Sequence, residues 1–111
     1  MKTNELTGAA LDWAVAKCEG VSVRWSAAHE QLLVEGYPYM VWQPSTNWSQ
    51  GGPIIEREKL DLWWCKGNQF YTSTHQEGTT VEDGPTPLIA AMRCYVASKL
   101  GDDIDLPKEL T

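Results

Sequence analysis

Apolar residues recur three and four positions apart near both ends of the chain, as they do on one face of an α-helix. Thr7 and Thr86 stand at the positions expected for helix N-caps, and Pro87 suits a first helical position. A glycine follows each segment, as is common where helices end. We therefore expect one helix over about 7–19 and a second over about 87–100.

Between these segments the apolar positions follow the two-residue period of β-strands, bounded by glycine, proline and asparagine. A hairpin turn is expected at 66–68 and a polar surface loop at 75–83, whereas the tail after residue 101 is expected to run extended along the surface. The strands are predicted at 21–25, 32–34, 37–42, 60–65 and 69–74. The pattern predicts a single α+β domain over 1–111, with one small, mainly antiparallel sheet packed with the two helices.

Residues 44–58, PSTNWSQGGPIIERE, interrupt both periodicities. Turn-forming residues open the stretch, and Gly51 and Gly52 then free the backbone before Pro53 fixes its direction. The apolar and charged residues at 54–62 fit a helical face and a strand equally well. We expect a short irregular segment or a helical turn there, leading into the strand at 60–65.

Composition narrows the classes of function. The 111 residues carry a net charge of −6 and lack any run of basic residues, which disfavours binding to duplex nucleic acid. No apolar stretch is long enough for a signal peptide or a membrane span, so no membrane partner is expected. Three unpaired cysteines fit a reduced cytosol. Six tryptophans are many for this length, and each can dominate a core or an interface.

Motifs for metal binding and catalysis are weak. His29 and His75 lack metal-ligand spacing, no C-x-x-C occurs, and Cys65 beside Lys66 is better explained as an inert thiol. The charged residues at 56–61 resemble the acidic cluster of a metal-dependent nuclease, but the lysine spacing differs. A solvent-exposed face or an internal Glu–Arg pair explains them better. We expect no metal, no cofactor and no enzymatic activity, with a metal-dependent nuclease as the enzymatic alternative.

The 44–58 stretch has the composition of a recognition loop. Tryptophan stacks on flat rings, asparagine and serine bond ring edges, glycine amides hold anions, and arginine pairs with phosphate. The candidate ligand-binding residues are Arg24, Trp25, Ser45, Thr46, Asn47, Trp48, Gln50, Gly51, Gly52 and Arg57. The structural alternative is that Trp48 fills the core and the loop braces the fold. Arg93 is expected on a solvated helix face.

Three blocks of sequence resemble the phage NinX-like family in its own order: LTGAALDWAVAKCEG at 6–20, PSTNWSQGGPIIERE at 44–58 and GPTPLIAAMRCYVASKLGDDIDLPKEL at 84–110. Members are small proteins of tailed phages and prophages. The resemblance implies an accessory phage protein that acts in the host bacterial cytoplasm. The resemblance implies no function for residues 60–80, which are the variable part of the family.

A helix ending at Gly20 and a strand with Arg24 and Trp25 are similar to the start of small phage Thoeris anti-defence proteins. That likeness implies a homo-oligomer that sequesters a cyclic ADP-ribose-type signal. The leading hypothesis is thus a non-enzymatic phage protein that binds a small nucleotide-like ligand to counter host defence. The alternative is an inhibitor that binds a basic host or phage enzyme through exposed tryptophans and an acidic surface.

Overall fold

The computed structural model describes residues 1–75 and 79–111, and over these residues it contains three α-helices, six β-strands and two short 3-10 helices. The α-helices are α1 (Gly8–Glu19), α2 (Trp48–Glu58) and α3 (Pro87–Leu100), and the 3-10 helices are Thr3–Glu5 and Lys108–Leu110. The strands are β1 (Val23–Ser26), β2 (Gln31–Val34), β3 (Tyr37–Val41), β4 (Asp61–Cys65), β5 (Phe70–Thr74) and β6 (Val81–Gly84). The α+β class is confirmed.

The strands form two separate antiparallel sheets, β1-β2-β3 and β4-β5-β6, within the described residues. The expectation of one sheet is wrong because α2 stands between β3 and β4 and divides the strands into two groups. Each group is a meander, in which every strand pairs with the next one along the chain. α3 packs on the second sheet, while the first sheet reaches α1 through β2.

α1 and α3 lie where the apolar periodicity predicts them. The Thr86 hydroxyl accepts a hydrogen bond from the Ile89 amide at 3.1 Å and caps α3 as expected. Thr7 occupies the N-cap position of α1, but its side chain makes no capping hydrogen bond, so that detail is wrong. Gly20, with φ of 70°, ends α1 in the left-handed conformation that favours glycine.

The core lies between α3 and the other two helices. Its fully buried residues include Leu11 and Val15 from α1, Met92 and Val96 from α3, and Ile54 from α2, which is 2% exposed. Burial of each large aliphatic side chain contributes roughly 1.5–3 kcal/mol. The three helices therefore form one apolar core, with the β4-β5-β6 sheet on the far side of α3.

The expectation for 54–62 is wrong, because residues 48–58 form a complete helix. The Asn47 side chain accepts from the Ser49 amide and caps α2, and Lys59 ends it in a left-handed conformation with φ of 54°. Pro53 removes one backbone hydrogen bond in the second turn without ending the helix. Burial of Ile54 and close packing at Gly51 offset that loss.

The polar loop expected at 75–83 is wrong at its end, since β6 begins at Val81; residues 76–78 of that loop lie outside the described residues. The tail after residue 101 contains no helix or strand before the 3-10 helix Lys108–Leu110, in keeping with the expected extended segment, but it is anchored at one point. The Ile104 amide donates to the Met1 carbonyl at 2.9 Å, and Ile104 is 4% exposed. The tail is thus tied to the first residues of the chain.

Candidate functional site

The turn at 43–47 is tied to α1 through Asp12. The Ser45 amide donates to Asp12 Oδ1 at 2.8 Å, and Trp42 Nε1 donates to the Asp12 carbonyl at 2.9 Å. Burial raises the pKa of the Asp12 carboxyl to about 6, against the lowering effect of the hydrogen bond from the Ser45 amide. Ser45 is itself buried, and its hydroxyl has no partner among the described residues. Ser45 therefore faces α1 rather than an open site.

Gln50 holds the end of β3 against α2. Its Oε1 accepts from the Gln43 amide at 2.7 Å, and its Nε2 donates to the Val41 carbonyl at 2.8 Å. The Asn47 side chain is engaged in capping α2. Both side chains thus satisfy backbone groups, which is what the structural alternative for this loop requires.

Gly51 lies where α2 comes close to both the 43–47 turn and α3. A Cβ built on Gly51 would stand 2.5 Å from the Pro44 carbonyl oxygen and 2.6 Å from Leu88 Cδ2. Its amide donates to the Asn47 carbonyl at 2.9 Å. Gly51 therefore allows α2 to pack against the 43–47 turn and α3, and its amide is already bonded.

Arg57 lies in a charged cluster that joins all three helices. Its Nη1 and Nη2 donate to the Glu19 carboxylate at 3.0 and 2.6 Å, and its Nε donates to Glu58 at 3.0 Å. The Tyr95 hydroxyl also donates to Glu19. The Arg57 hydrogen bonds lower the pKa of Glu19, while burial, followed by the bond to Glu19, raises the pKa of Tyr95. Arg57 is thus paired bidentately with a carboxylate of the same chain, while 51% of its side chain stays exposed.

Trp48, Thr46 and Gly52 remain on the outside of the stretch. Trp48 is the first residue of α2 and is 55% exposed, so it does not fill the core. Thr46 is exposed. A Cβ built on Gly52 would meet only Trp48 Cε3, at 3.9 Å. Of the candidates in 44–58, these three and the half-exposed Arg57 have surface available for a partner.

Arg24 and Trp25 lie on β1, two strands away from β3 in the first sheet. Adjacent strands are about 4.8 Å apart, so β1 and β3 are separated by roughly 10 Å. Arg24 is exposed, and Trp25 lines a groove with both ends of the chain, including Ala10, Leu110 and Thr111. The structure therefore places Trp25 with the termini rather than with the 44–52 residues.

Residues 37–40, which the sequence pattern predicts only as part of a strand, form the most exposed apolar segment of the described residues. Between the pairs Val34–Tyr37 and Leu33–Val41, β3 advances four residues while β2 advances one. The extra residues bulge outward, and Tyr39 is 97% exposed. Tyr37 and Met40 are also exposed. The signal was Pro38, since proline within a strand marks an edge or a bulge.

Arg93 contradicts the expected solvated face, because it is 9% exposed. Its Nε donates to the Leu6 carbonyl at 2.9 Å and its Nη1 to the Asp83 carbonyl at 2.8 Å. Burial lowers the pKa of the Arg93 guanidinium, against the raising effect of Glu82 and Asp83. Arg93 thus ties α3 to β6 and to the segment before α1.

The described part of the chain, 1–75 and 79–111, contains no group of three His, Cys, Asp or Glu side chains placed to hold a metal ion. Burial raises the pKa of the Cys18 and Cys94 thiols to about 11, so both remain protonated at neutral pH. Cys65 Sγ lies 3.0 Å from Thr72 Oγ1, which donates to Asp83.

One open groove of about 520 Å³ lies between α1 and β1. Its wall includes Trp13, Lys17, Val23 and Glu35, and the Lys17 ammonium stands 5.1 Å from the centre of the Trp13 ring. A flat ring, a cation and a carboxylate thus border the same concave surface, which sequence reasoning did not single out.

None of the helices in the described ranges is long and apolar enough to cross a membrane. A search of curated proteins finds no match to this chain. A family model described as Bacteriophage P22, NinX matches residues 2–99, which is most of the chain. The chain therefore belongs to the bacteriophage P22 NinX family.

Proposed function

We propose that this protein is a non-enzymatic phage accessory protein that acts in the host bacterial cytoplasm by binding another protein. The surface formed by Tyr37, Pro38, Tyr39 and Met40, which we call the 37–40 surface, contacts the partner. The exposure of Tyr39 is the observation that carries the proposal. Tyrosine is enriched among the residues that contribute most to protein interfaces, because its ring buries a large area at low conformational cost.

Two further properties support a protein partner. The four residues of the 37–40 surface are consecutive, exposed and uncharged, and contiguous exposed apolar surface commonly marks an interaction site. The polar groups of 44–58 that would suit a small ligand are largely bonded within the fold, as Gln50 and Arg57 illustrate.

The charge of the chain narrows the class of partner. A net charge of −6 favours a partner with basic residues around an apolar pocket, since complementary charge accelerates association. An inhibitor of a host or phage enzyme with a basic surface fits this description. The interaction is then expected to weaken as salt is raised, while the apolar contact with Tyr39 persists.

Affinity capture from lysates of infected cells tests this proposal. Tyr39→Ser is expected to weaken the captured complex about 30-fold or more, since loss of a central aromatic contact costs about 2 kcal/mol or more. Thr46→Ala is the matched control, because Thr46 is exposed but lies outside the 37–40 surface. Equal capture by the wild type and Tyr39→Ser would contradict the proposal.

A small nucleotide-like ligand, bound to counter host defence, is the second candidate function. The groove between α1 and β1 favours it, because the Trp13 ring can stack on a base while Lys17 pairs with phosphate. The exposed Trp48 offers a second stacking surface.

Isothermal titration with cyclic nucleotides and ADP-ribose isomers tests the second candidate. Lys17→Gln is expected to weaken binding if the groove is used, and Trp48→Ala if the α2 surface is used. Absence of heat with every ligand, from a folded sample, would exclude these ligand classes and leave the protein-binding proposal standing.

A further inference from the structure

β4 is an edge strand of the second sheet, and no strand of the described residues pairs with its outer side. It pairs one-to-one with β5 over all five residues, without a bulge. Apart from β5 and the turn amides of Asn68 and Gln69, which donate to the Cys65 carbonyl, no group among the described residues bonds to the β4 backbone. An unpaired row of amides and carbonyls of this kind is a template for another strand.

Other sheet edges in the molecule carry protection that β4 lacks. β3 contains Pro38, bulges outward and has its Val41 carbonyl bonded by Gln50. At β6, Arg93 donates to the Asp83 carbonyl. β1 presents the exposed charge of Arg24. Proline, bulges, charges and covering side chains are the usual protection of sheet edges. β4 has no proline and no bulge, and its only charged residue is Asp61 at one end.

Two half-exposed tryptophans stand on opposite faces of β4. Trp64 lies opposite Tyr71 on the face that packs on α3, with ring centres 4.9 Å apart, and Trp63 lies opposite Thr72 on the outer face. Both remain exposed. A strand added beside β4 would cover both rings, and cross-strand aromatic contacts contribute about 0.2–1 kcal/mol each.

The charges beside β4 favour a second copy of this chain. Asp61 begins the strand and Lys66 follows its last residue, and both are exposed. Residues 59–66 contain two lysines and one aspartate, whereas the chain as a whole carries −6, so the net charge that separates two copies is not concentrated at this edge. In an antiparallel pair of identical strands, the acidic start of one lies beside the basic end of the other.

We propose that β4 pairs with β4 of a second copy, which joins two three-stranded sheets into one six-stranded sheet. The two-fold axis lies normal to the sheet at Trp63, the centre of the strand. Asp61 then stands opposite Cys65 of the second copy and beside its Lys66, twice by symmetry. The pairing uses β4 in the second sheet, whereas residues 37–40 belong to the first, so the proposed dimer does not depend on the proposed function.

Charge reversal at the two ends of β4 tests the arrangement. In sedimentation experiments, Asp61→Lys and Lys66→Glu are each expected to raise the dimer dissociation constant roughly 3- to 30-fold, because each affects two exposed charge pairs. A mixture of the two variants restores both attractive pairs, and heterodimers with near wild-type affinity are expected. Parallel strands would instead place like charges opposite one another in the wild type and in each single variant. Each reversal alone would then leave the dissociation constant nearly unchanged, and the heterodimer would bind more tightly than the wild type.

Hydrogen exchange supplies a second readout that does not depend on charge. The β4 amides of the wild type are expected to become more protected as protein concentration rises. Lys108→Glu, an exposed change far from β4 in the chain, is the control and should leave both measurements unchanged. A monomer at all concentrations, a dimer insensitive to both reversals, or β4 protection only with a different protein would each overturn the proposal.

Discussion

Adjacent glycines in α2 provide a sharp test of how the 44–58 stretch is built. At Gly51 a Cβ would meet the Pro44 carbonyl oxygen at 2.5 Å and Leu88 Cδ2 at 2.6 Å. The leucine methyl can rotate, but the carbonyl is part of the backbone and must shift. Overpacking of this kind destabilises by about 1–3 kcal/mol. This generally outweighs the roughly 1 kcal/mol by which alanine stabilises a helix relative to glycine. We therefore expect Gly51→Ala to lower the free energy of unfolding.

Gly52→Ala is the matched control, one residue further along the same helix. Its Cβ would meet only Trp48 Cε3, at 3.9 Å, which is an ordinary contact. Alanine also restricts the unfolded chain more than glycine does, so this change is expected to raise the free energy of unfolding by about 0.5–1 kcal/mol. Two neighbouring substitutions of the same type thus have opposite expected signs.

Urea unfolding followed by tryptophan fluorescence measures both variants, with thermal unfolding as a check. A change of 1 kcal/mol corresponds to about 4 °C in Tm for a domain of this size. If Gly51→Ala were as stable as the wild type, or if both variants changed in the same direction, close packing of α2 on the 43–47 turn would be refuted.

The same assay tests three polar contacts. Asp12→Asn keeps the acceptor for the Ser45 amide and removes a carboxylate whose pKa is raised to about 6. The raised pKa means that the wild type loses stability as pH rises from about 4 to 6, because the buried carboxyl becomes charged. The variant should therefore be about 2–3 kcal/mol more stable than the wild type at pH 7 and should lose most of that advantage by pH 4. Lower stability of the variant at pH 7 would contradict this. Glu19→Gln weakens the pair with Arg57 and should lower the free energy of unfolding by about 1 kcal/mol at neutral pH. The difference should disappear in acid, once pH falls through the lowered pKa of Glu19 and the wild type also loses the charge. A difference that persists in acid would contradict the ion-pair explanation. Arg93→Met leaves the buried Leu6 carbonyl and the partly buried Asp83 carbonyl without this donor and should cost about 2–4 kcal/mol. A change below about 0.5 kcal/mol would contradict its role.

Local signals predict the parts of the fold that local physics determines. The cap at Thr86, the proline after it and the apolar stripe define α3 without reference to the rest of the chain. The strands from β1 to β5 likewise follow from alternating residues. The division into two sheets does not follow, because it depends on α2, whose helical state depends on packing at Gly51 and Ile54.

The site is harder to predict than the fold, because tertiary partners decide which polar groups remain available. Gln50 and Arg57 are suited to a ligand by chemistry alone, yet their hydrogen bonds go to Val41, Gln43 and Glu19. No spacing rule connects Arg57 with a carboxylate 38 residues earlier in the chain. The sequence identifies groups that can bind a ligand, and the fold determines which of them already have partners within the chain.

Photocrosslinking at position 39 tests the protein-binding proposal most directly. A photoreactive phenylalanine analogue replaces Tyr39 in one variant and Glu109 in a control, and both are irradiated in infected cells. We expect one discrete protein adduct from position 39 and none from position 109, because Tyr39 is the centre of the 37–40 surface. No adduct at position 39, or the same adducts from both positions, would contradict the proposal.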